Sequence, residues 1–259
     1  MALPAPYAVL GDREGVSIAG TSHANEDLWG CADSLTWVLD GATRAGADVR
    51  RFVRAVDASV AQVAHSTTAD LPLREVLRRA IAAVPASATS PGVSATIALA
   101  RTAPGQDDEW LVLGDAAVLI HGPDGMLRIE TDLRLQDVAR EEREARRRLQ
   151  RSGAPAAEVR RASARLLAAE DAARNVPGGF WVATDDPSAA DQAIVGSGAE
   201  GSVIALASDG VLPAIPKDAG PERLKALWKR GGVHPWLVDA RGRELTRTGR
   251  ADDMTLVLL

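Results

Sequence analysis

The sequence predicts an α+β fold in which helices pack on an antiparallel sheet. Three observations indicate this: short β-favouring runs near the start, helical periodicity after residue 47, and strand-like runs again after residue 93. Two helices packed on one face of an antiparallel sheet would produce this order. The chain has 259 residues, which is long for one domain but common among layered folds.

The N-terminal part predicts strands first and then two helices. Strands are predicted at Tyr7–Leu10, Val16–Gly20 and Leu35–Leu39, where turn residues separate apolar runs. The first helix is predicted at Ala47–Val63, because apolar residues recur there at steps of three and four. The second is predicted at Leu73–Val84, which two prolines bound.

A strand meander is predicted next. Val93–Arg101, Glu109–His121 and Gly125–Ile129 are interpreted as successive antiparallel strands. Pro104-Gly105 and Asp124-Gly125 provide the turns between them, since both dipeptides are typical of turns.

The charged middle of the chain predicts two helices, Leu135–Gln150 and Ala156–Arg174, with a Gly/Pro break between them. The plain interpretation is a solvated helical face. The alternative is that the basic cluster Arg146–Arg148 contacts phosphate or an acidic segment. The following GGFWVATDDPSAAD predicts a short strand that leads into a helix initiated by Asp185 and Asp186.

Composition predicts a cytoplasmic protein with one domain over residues 1–259 and leaves its oligomeric state open. The net charge of -5 provides no electrostatic footprint for nucleic acid or an anionic membrane, so neither is expected as a partner. The single Cys31 excludes an internal disulfide and a cysteine-based zinc site. The N-terminus has no evident signal peptide, and no apolar run approaches membrane-spanning length.

Acidic residues recur at the ends of the apolar runs. The positions are Asn25-Glu26-Asp27, Asp40-Gly41, Asp209-Gly210 and Asp252-Asp253. Carboxylates at several strand ends can converge, and they then raise each other's pKa unless a cation neutralises them. Hard ions such as Mg²⁺ and Mn²⁺ prefer oxygen ligands of this kind. Each Asp-Gly alone is also a common turn, but the combination and its order predict a carboxylate-bound metal centre.

These motifs resemble the metal-dependent protein phosphatases (PPM family, type 2C serine/threonine phosphatases), particularly the compact bacterial members. The resemblance is carried, in order, by GTSHANEDLWG, LTWVLDGAT, GVSATIALAR, WLVLGDAAVLI, VIALASDGV and ADDMTLVLL. It implies a four-layer α/β/β/α sandwich of two antiparallel sheets flanked by helices. It also implies that the helices at about 135–175 are the family's variable insertion beside the active site, which influences substrate choice.

The resemblance further implies a metal site and a reaction. The ligands of two Mn²⁺ or Mg²⁺ ions would be four carboxylates and one carbonyl: Asp27, Asp40, Gly41, Asp209 and Asp252. Glu26 would act through a water, and Asp115 occupies the position that helps hold a third ion in several bacterial members. A metal-bound water held by Asp40 and Asp209 would then hydrolyse phosphoserine or phosphothreonine in a protein substrate.

Two substrate-handling groups of the family are replaced. The stretch before Asn25 lacks the usual arginine, and Ala42 stands where many members have a histidine assigned as general acid. His23 or Arg44 could take over substrate binding, although a surface polar residue and a helix-start charge are the plainer interpretations. Two alternatives therefore stay open: a pseudophosphatase that serves as a regulatory binding domain, and a hydrolase of a small phosphorylated metabolite.

Overall fold

The computed structural model describes residues 7–10, 13–42, 48–66, 71–103, 107–199, 201–215 and 232–259. Within these ranges the strands form two antiparallel sheets. Each helix in the described part of the chain is too short or too polar to span a bilayer.

Eleven strands are present in the described ranges. Their bounds are β1 Tyr7–Leu10, β2 Arg13–Ile18, β3 Leu28–Ala32, β4 Leu35–Ala42, β5 Ser94–Arg101, β6 Glu109–Leu113, β7 Ala117–His121, β8 Leu127–Thr131, β9 Ile194–Ser197, β10 Val203–Ala207 and β11 Met254–Leu258. One sheet has the order β1-β2-β11-β10-β7-β8, and the other has the order β3-β4-β5-β6-β9.

The α-helices of the described ranges are α1 Val49–Ser66, α2 Leu73–Ala82, α3 Arg134–Asp137, α4 Arg140–Arg151, α5 Ala156–Ala172 and α6 Val233–Thr248. Short 3₁₀ helices occupy 86–88, 187–192 and 209–214.

The packing confirms the four layers. The apolar stripe of α1, which includes Phe52 and Val56, is buried with α2 against the five-stranded sheet. Trp29 and Trp110 pack in the apolar cluster between the two sheets. α6 buries Leu237 on the outer face of the six-stranded sheet. Each such side chain contributes on the order of 1.5–3 kcal/mol when it leaves water, so the three clusters hold the layers together.

The prediction of one strand over Glu109–His121 is wrong. β6 lies in the five-stranded sheet and β7 in the six-stranded sheet, so the chain crosses between the sheets at Gly114. Gly114 has φ +79, and a Cβ there would stand 2.6 Å from Thr96, so only glycine suits this crossing. Both strands are buried and apolar, which makes them look continuous in the sequence. The crossing places Asp115 at the boundary between the sheets.

The middle of the chain differs from the prediction in two places. The helix predicted over Leu135–Gln150 is broken into α3 and α4 at Ala139, which has φ 51. The predicted strand in GGFWVA is wrong, since Phe180 and Ala183 form only isolated bridges.

The helix predicted after Asp185 and Asp186 is present as a short 3₁₀ helix. Asp186 caps the 3₁₀ helix 187–192 by accepting from Ser188 N at 2.9 Å, whereas an ordinary helix was expected there. β3, β9 and α6 are elements that the sequence patterns do not predict. Pro104-Gly105 and Arg44 lie outside the described residues.

Candidate metal centre

Asp27 and Asp40 lie at one end of the gap between the sheets. β3 pairs with β4 in the register Leu28↔Leu39, so one step further Asp27 stands opposite Asp40. Leu28 and Leu39 both pack in the cluster under α1. Because successive side chains of a strand face opposite sides, their neighbours Asp27 and Asp40 face the other sheet.

The six-stranded sheet brings further carboxylates to the same end. Asp209 follows β10 and opens the 3₁₀ helix 209–214, Asp252 precedes β11 by two residues, and Asp115 follows the sheet crossing. The pKa of Asp40 is raised well above its ordinary value, first by burial and then by the charges of Asp27, Asp209, Asp115 and Asp252. These five carboxylates therefore act on one another electrostatically.

Asp27 is the most isolated of these groups. It is 8% exposed, and among the described residues nothing donates a hydrogen bond to either carboxylate oxygen. Burial, opposed by the nearby hydroxyls of Ser208 and Thr255, raises the pKa of Asp27 to about 7. The Thr255 hydroxyl lies 2.7 Å from that of Ser17, and Ser208 Oγ accepts from Thr255 N at 2.9 Å. A cation would satisfy these orphaned oxygens.

Asp209 and Asp40 interact with each other directly. Burial is the main cause that raises the pKa of Asp209 to about 7, followed by the charges of Asp115 and Asp252. A hydrogen bond with Asp40 opposes this rise. Burial and the same neighbouring carboxylates raise the pKa of both groups.

The donor set fits a hard divalent cation. It consists of carboxylate oxygens, whose mutual repulsion a cation relieves. Gly41 contributes close packing, since a Cβ there would stand 2.5 Å from Val49 and 3.0 Å from the Glu26 carbonyl oxygen. In the described part of the chain, no three Asp, Glu, His or Cys side chains already stand close enough to hold one ion.

The two neighbouring aspartates before β11 differ in burial. Asp252 is exposed, whereas Asp253 is 5% exposed. Asp253 accepts hydrogen bonds from Gly20 N at 2.6 Å and Glu26 N at 2.7 Å. Asp253 thus ties the loop before β3 to the start of β11, a structural role that the sequence motif does not reveal.

Glu26 lies at the edge of this group. Its side chain is 11% exposed, and burial is the largest of the causes that raise its pKa. Arg50, in the first turn of α1, acts on it in the opposite direction. Glu26 is therefore an electrostatic neighbour of Asp252 and Asp253, and Arg50 is a nearby cation that the motifs do not identify.

One cleft beside the carboxylates contains His23. It has a volume of about 500 Å³ and is lined by His23, Asp209, Asp252 and Arg250 among others. His23 Nδ1 lies 3.8 Å from Asp253 Oδ2. Burial lowers the pKa of His23, but the Ala24 carbonyl and the nearby carboxylates outweigh it and leave that pKa raised. Arg250 is a cation that sequence reasoning missed, since its approach depends on where α6 ends.

Asp209 also lines a second cleft. It has a volume of about 800 Å³, and its lining includes Asp115, Asp209 and three arginines of α4. Of the predicted cluster Arg146–Arg148, Arg147 lines this cleft, whereas Arg148 lines the groove between α4 and α5.

No protein-family model and no curated protein sequence matches this chain. Solved structures match it along almost its whole length. The Mycobacterium tuberculosis serine/threonine phosphatase PstP/Ppp is 20% identical, with a TM-score of 0.60 over 95% of this chain and 96% of that chain. The catalytic domain of PstP in complex with 2 manganese ions is 19% identical, with a TM-score of 0.61 over 95% and 96%.

A third structure is similar to the same extent. The PPM Ser-Thr phosphatase MsPP from Mycobacterium smegmatis, in complex with cacodylate, is 17% identical, with a TM-score of 0.63 over 97% of this chain and 98% of that chain. At these identities it is the architecture that is shared. The chain therefore has the fold of the PPM-type serine/threonine phosphatases.

Proposed function

We propose that this chain is a metal-dependent phosphomonoester hydrolase that acts on phosphoserine or phosphothreonine in proteins. The observation that carries the proposal is the group of carboxylates from both sheets. Burial and neighbouring carboxylate charges raise the pKa values of Asp27, Asp40, Asp115 and Asp209, and Asp252 is one of those neighbours. The likeness to a phosphatase catalytic domain solved with 2 manganese ions supports the same conclusion.

The chain's own residues would prepare the site. Two Mn²⁺ or Mg²⁺ ions, with a third at Asp115, would screen the phosphate charge and lower the pKa of a water. Asp40 and Asp209 would hold the ions in place of protons, and the unsatisfied oxygens of Asp27 would gain a partner. The carbonyl of Gly41 and the exposed Asp252 complete the proposed ligand set. Glu26 would act through a water.

Substrate would reach Asp209 through the two clefts that meet there. His23 and Arg250 stand beside the smaller cleft, where a phosphate dianion would find positive charge. We also propose that α4 and α5 form an insertion within a single domain, and that the protein works in the cytoplasm, where a reducing environment suits the lone Cys31.

Turnover of p-nitrophenyl phosphate and of phosphoserine peptides, with and without Mn²⁺, tests the proposal. We expect hydrolysis that depends on Mn²⁺ and is abolished by EDTA. Full activity after EDTA treatment would exclude the metal-dependent reaction. A panel of phosphorylated metabolites run in parallel separates a protein phosphatase from a metabolite hydrolase.

A regulatory pseudophosphatase is the second candidate. The sequence raises it because Ala42 replaces the family's histidine and Gly20–Ala24 holds no arginine, whereas the similar solved structures are phosphatases and do not favour it. Calorimetric titration with Mn²⁺, together with the phosphoester panel, discriminates the two candidates. A pseudophosphatase would bind no ion, or would bind ions without hydrolysing any phosphoester in the panel.

A further inference from the structure

The wall of the larger cleft opposite the carboxylates is formed by arginines of α4. Arg140, Arg143 and Arg147 all line this cleft together with Asp115 and Asp209. Their spacing of three and four residues places them on one face of the helix. The cleft's volume of about 800 Å³ is in the range of pockets for molecules much larger than a phosphate group.

Arg143 fixes this face in position. Its Nη2 lies 2.7 Å from Glu170 Oε1, and its Nη1 donates to the Leu135 carbonyl at 3.1 Å. The pair with Glu170 is largely shielded from solvent, so it ties α4 to α5. The charge of Arg143 also lowers the pKa of Asp115, against the larger effect of burial. The arginine face therefore lies close to the candidate metal centre.

Arg147 is the available cation on this face. It is exposed, and no described residue forms a hydrogen bond or ion pair with it. Arg140 pairs with Asp137 at 2.5 Å, but both side chains are about two-thirds exposed or more, so this pair stabilises little and exchanges readily for a ligand.

The charges of the cleft change when ions bind. Three arginines stand against three acids, which are Asp115, Asp209 and Glu144. Divalent ions at Asp115 and Asp209 would offset two of those acids, and the cleft would then carry an excess of positive charge. An anionic ligand is expected in addition to the phosphoryl group that the ions hold.

We propose that Arg147, with Arg140, binds an acidic group that flanks the phosphorylated residue of the substrate, either a carboxylate or a second phosphoryl group. A guanidinium recognises both through paired, charge-assisted hydrogen bonds. The role of the phosphoryl group in this inference rests on the proposed function. The binding of the acidic flank does not. It makes an acidic phosphopeptide the preferred substrate class.

The test uses two phosphoserine peptides of equal length, one flanked by glutamates and one by glutamines, together with p-nitrophenyl phosphate. The variant is Arg147→Gln, with Arg147→Lys as a partial rescue. Arg148→Gln is the matched control, because Arg148 is the exposed neighbour that lines the groove between α4 and α5. Loss of one charge-assisted contact should raise KM for the acidic peptide by about tenfold. The kcat, the neutral peptide and p-nitrophenyl phosphate should be unaffected, and Arg148→Gln should match the wild type.

A second readout needs no turnover. Fluorescence anisotropy of a labelled, unphosphorylated glutamate-rich peptide in Mn²⁺ should show binding that Arg147→Gln weakens and Arg148→Gln does not. If the peptide binds in this way but no phosphoester is hydrolysed, the acidic-flank site is supported and the proposed function is rejected. Equal preference for the two phosphopeptides in the wild type, or equal losses in Arg147→Gln and Arg148→Gln, would overturn the inference.

Discussion

Asp253 accepts a hydrogen bond from the backbone N–H of Glu26 at 2.7 Å, and its other oxygen accepts from Gly20 N–H at 2.6 Å. The same carboxylate thereby joins two points of the segment before β3 to the start of β11. Its neighbour Asp252 has a different environment, since it is exposed and lines the His23 cleft. Asp253 thus has a structural role, whereas the adjacent Asp252 is a candidate metal ligand.

Substitution should separate these roles. We expect Asp252→Ala to weaken Mn²⁺ binding strongly while leaving the melting temperature nearly unchanged. Asp253→Ala should lower the free energy of unfolding by on the order of 2–4 kcal/mol, because it removes an acceptor shared by two backbone N–H groups. Calorimetric Mn²⁺ titration and thermal melts measure both quantities. A large loss of stability in Asp252→Ala with none in Asp253→Ala would show that the assignment is reversed.

Replacing Asp40 or Asp209 with asparagine should abolish turnover without unfolding the protein. We expect Asp40→Asn and Asp209→Asn to lose Mn²⁺-dependent hydrolysis by on the order of a hundredfold or more. The metal-free variants should melt no lower than the wild type, because an amide removes repulsion among crowded carboxylates. Asp185→Asn, at an exposed position, is the matched control. Unchanged activity in both site variants would reject the role of this pair.

Local sequence patterns predict individual elements, whereas the four-layer arrangement is implied by the family resemblance. Strand alternation and helical periodicity are local patterns, so the stripe of α1 and the strand ends at Asp40 and Asp209 can be read directly. The crossing at Gly114 cannot, because two buried apolar strands look alike whether they share a sheet or not.

Other features of the site depend on contacts between distant segments. The anchoring of Glu26 by Asp253 spans 227 positions in the chain. The proximity of Arg143 to Asp115 depends on where α4 packs relative to the sheets. Arg250 lines its cleft because α6 ends beside that cleft. None of these contacts has a local sequence signal, whereas each candidate ligand stands in a short motif.

The metal-free protein should lose stability as the pH rises from about 4 to about 7. The pKa values of Asp27 and Asp209 are raised from 3.8 to about 7 in the folded protein. The folded state therefore binds more protons than the unfolded state in this window. The stability that these protons contribute is lost as the pH rises through the folded-state pKa values. Urea denaturation with EDTA at pH 5 and pH 8 should give the larger free energy of unfolding at pH 5.

Saturating Mn²⁺ should reverse that trend. The ion competes with protons for the same oxygens, so it binds more tightly at pH 8 and stabilises the folded state more there. The stabilisation by Mn²⁺ should be smaller in Asp209→Asn, because this variant lacks one carboxyl group with a raised pKa. A free energy of unfolding that rises with pH in EDTA would contradict the raised pKa values.

Phosphate binding should be weak in the wild type and should depend on Arg250. The stretch Gly20–Ala24 offers only Ser22 and His23 where an arginine fork is usual in the family, and a neutral side chain cannot form its bidentate bonds. Arg250 lines the same cleft as both residues. We therefore expect a high KM for p-nitrophenyl phosphate, a further increase in Arg250→Gln, and a decrease in His23→Arg, with kcat changing less than KM in each case. Arg247→Gln is the matched control, since Arg247 is an exposed arginine near the end of α6 that already pairs with Glu244 at 2.8 Å. A wild-type KM in the low micromolar range that Arg250→Gln leaves unchanged would show that another group holds the phosphate.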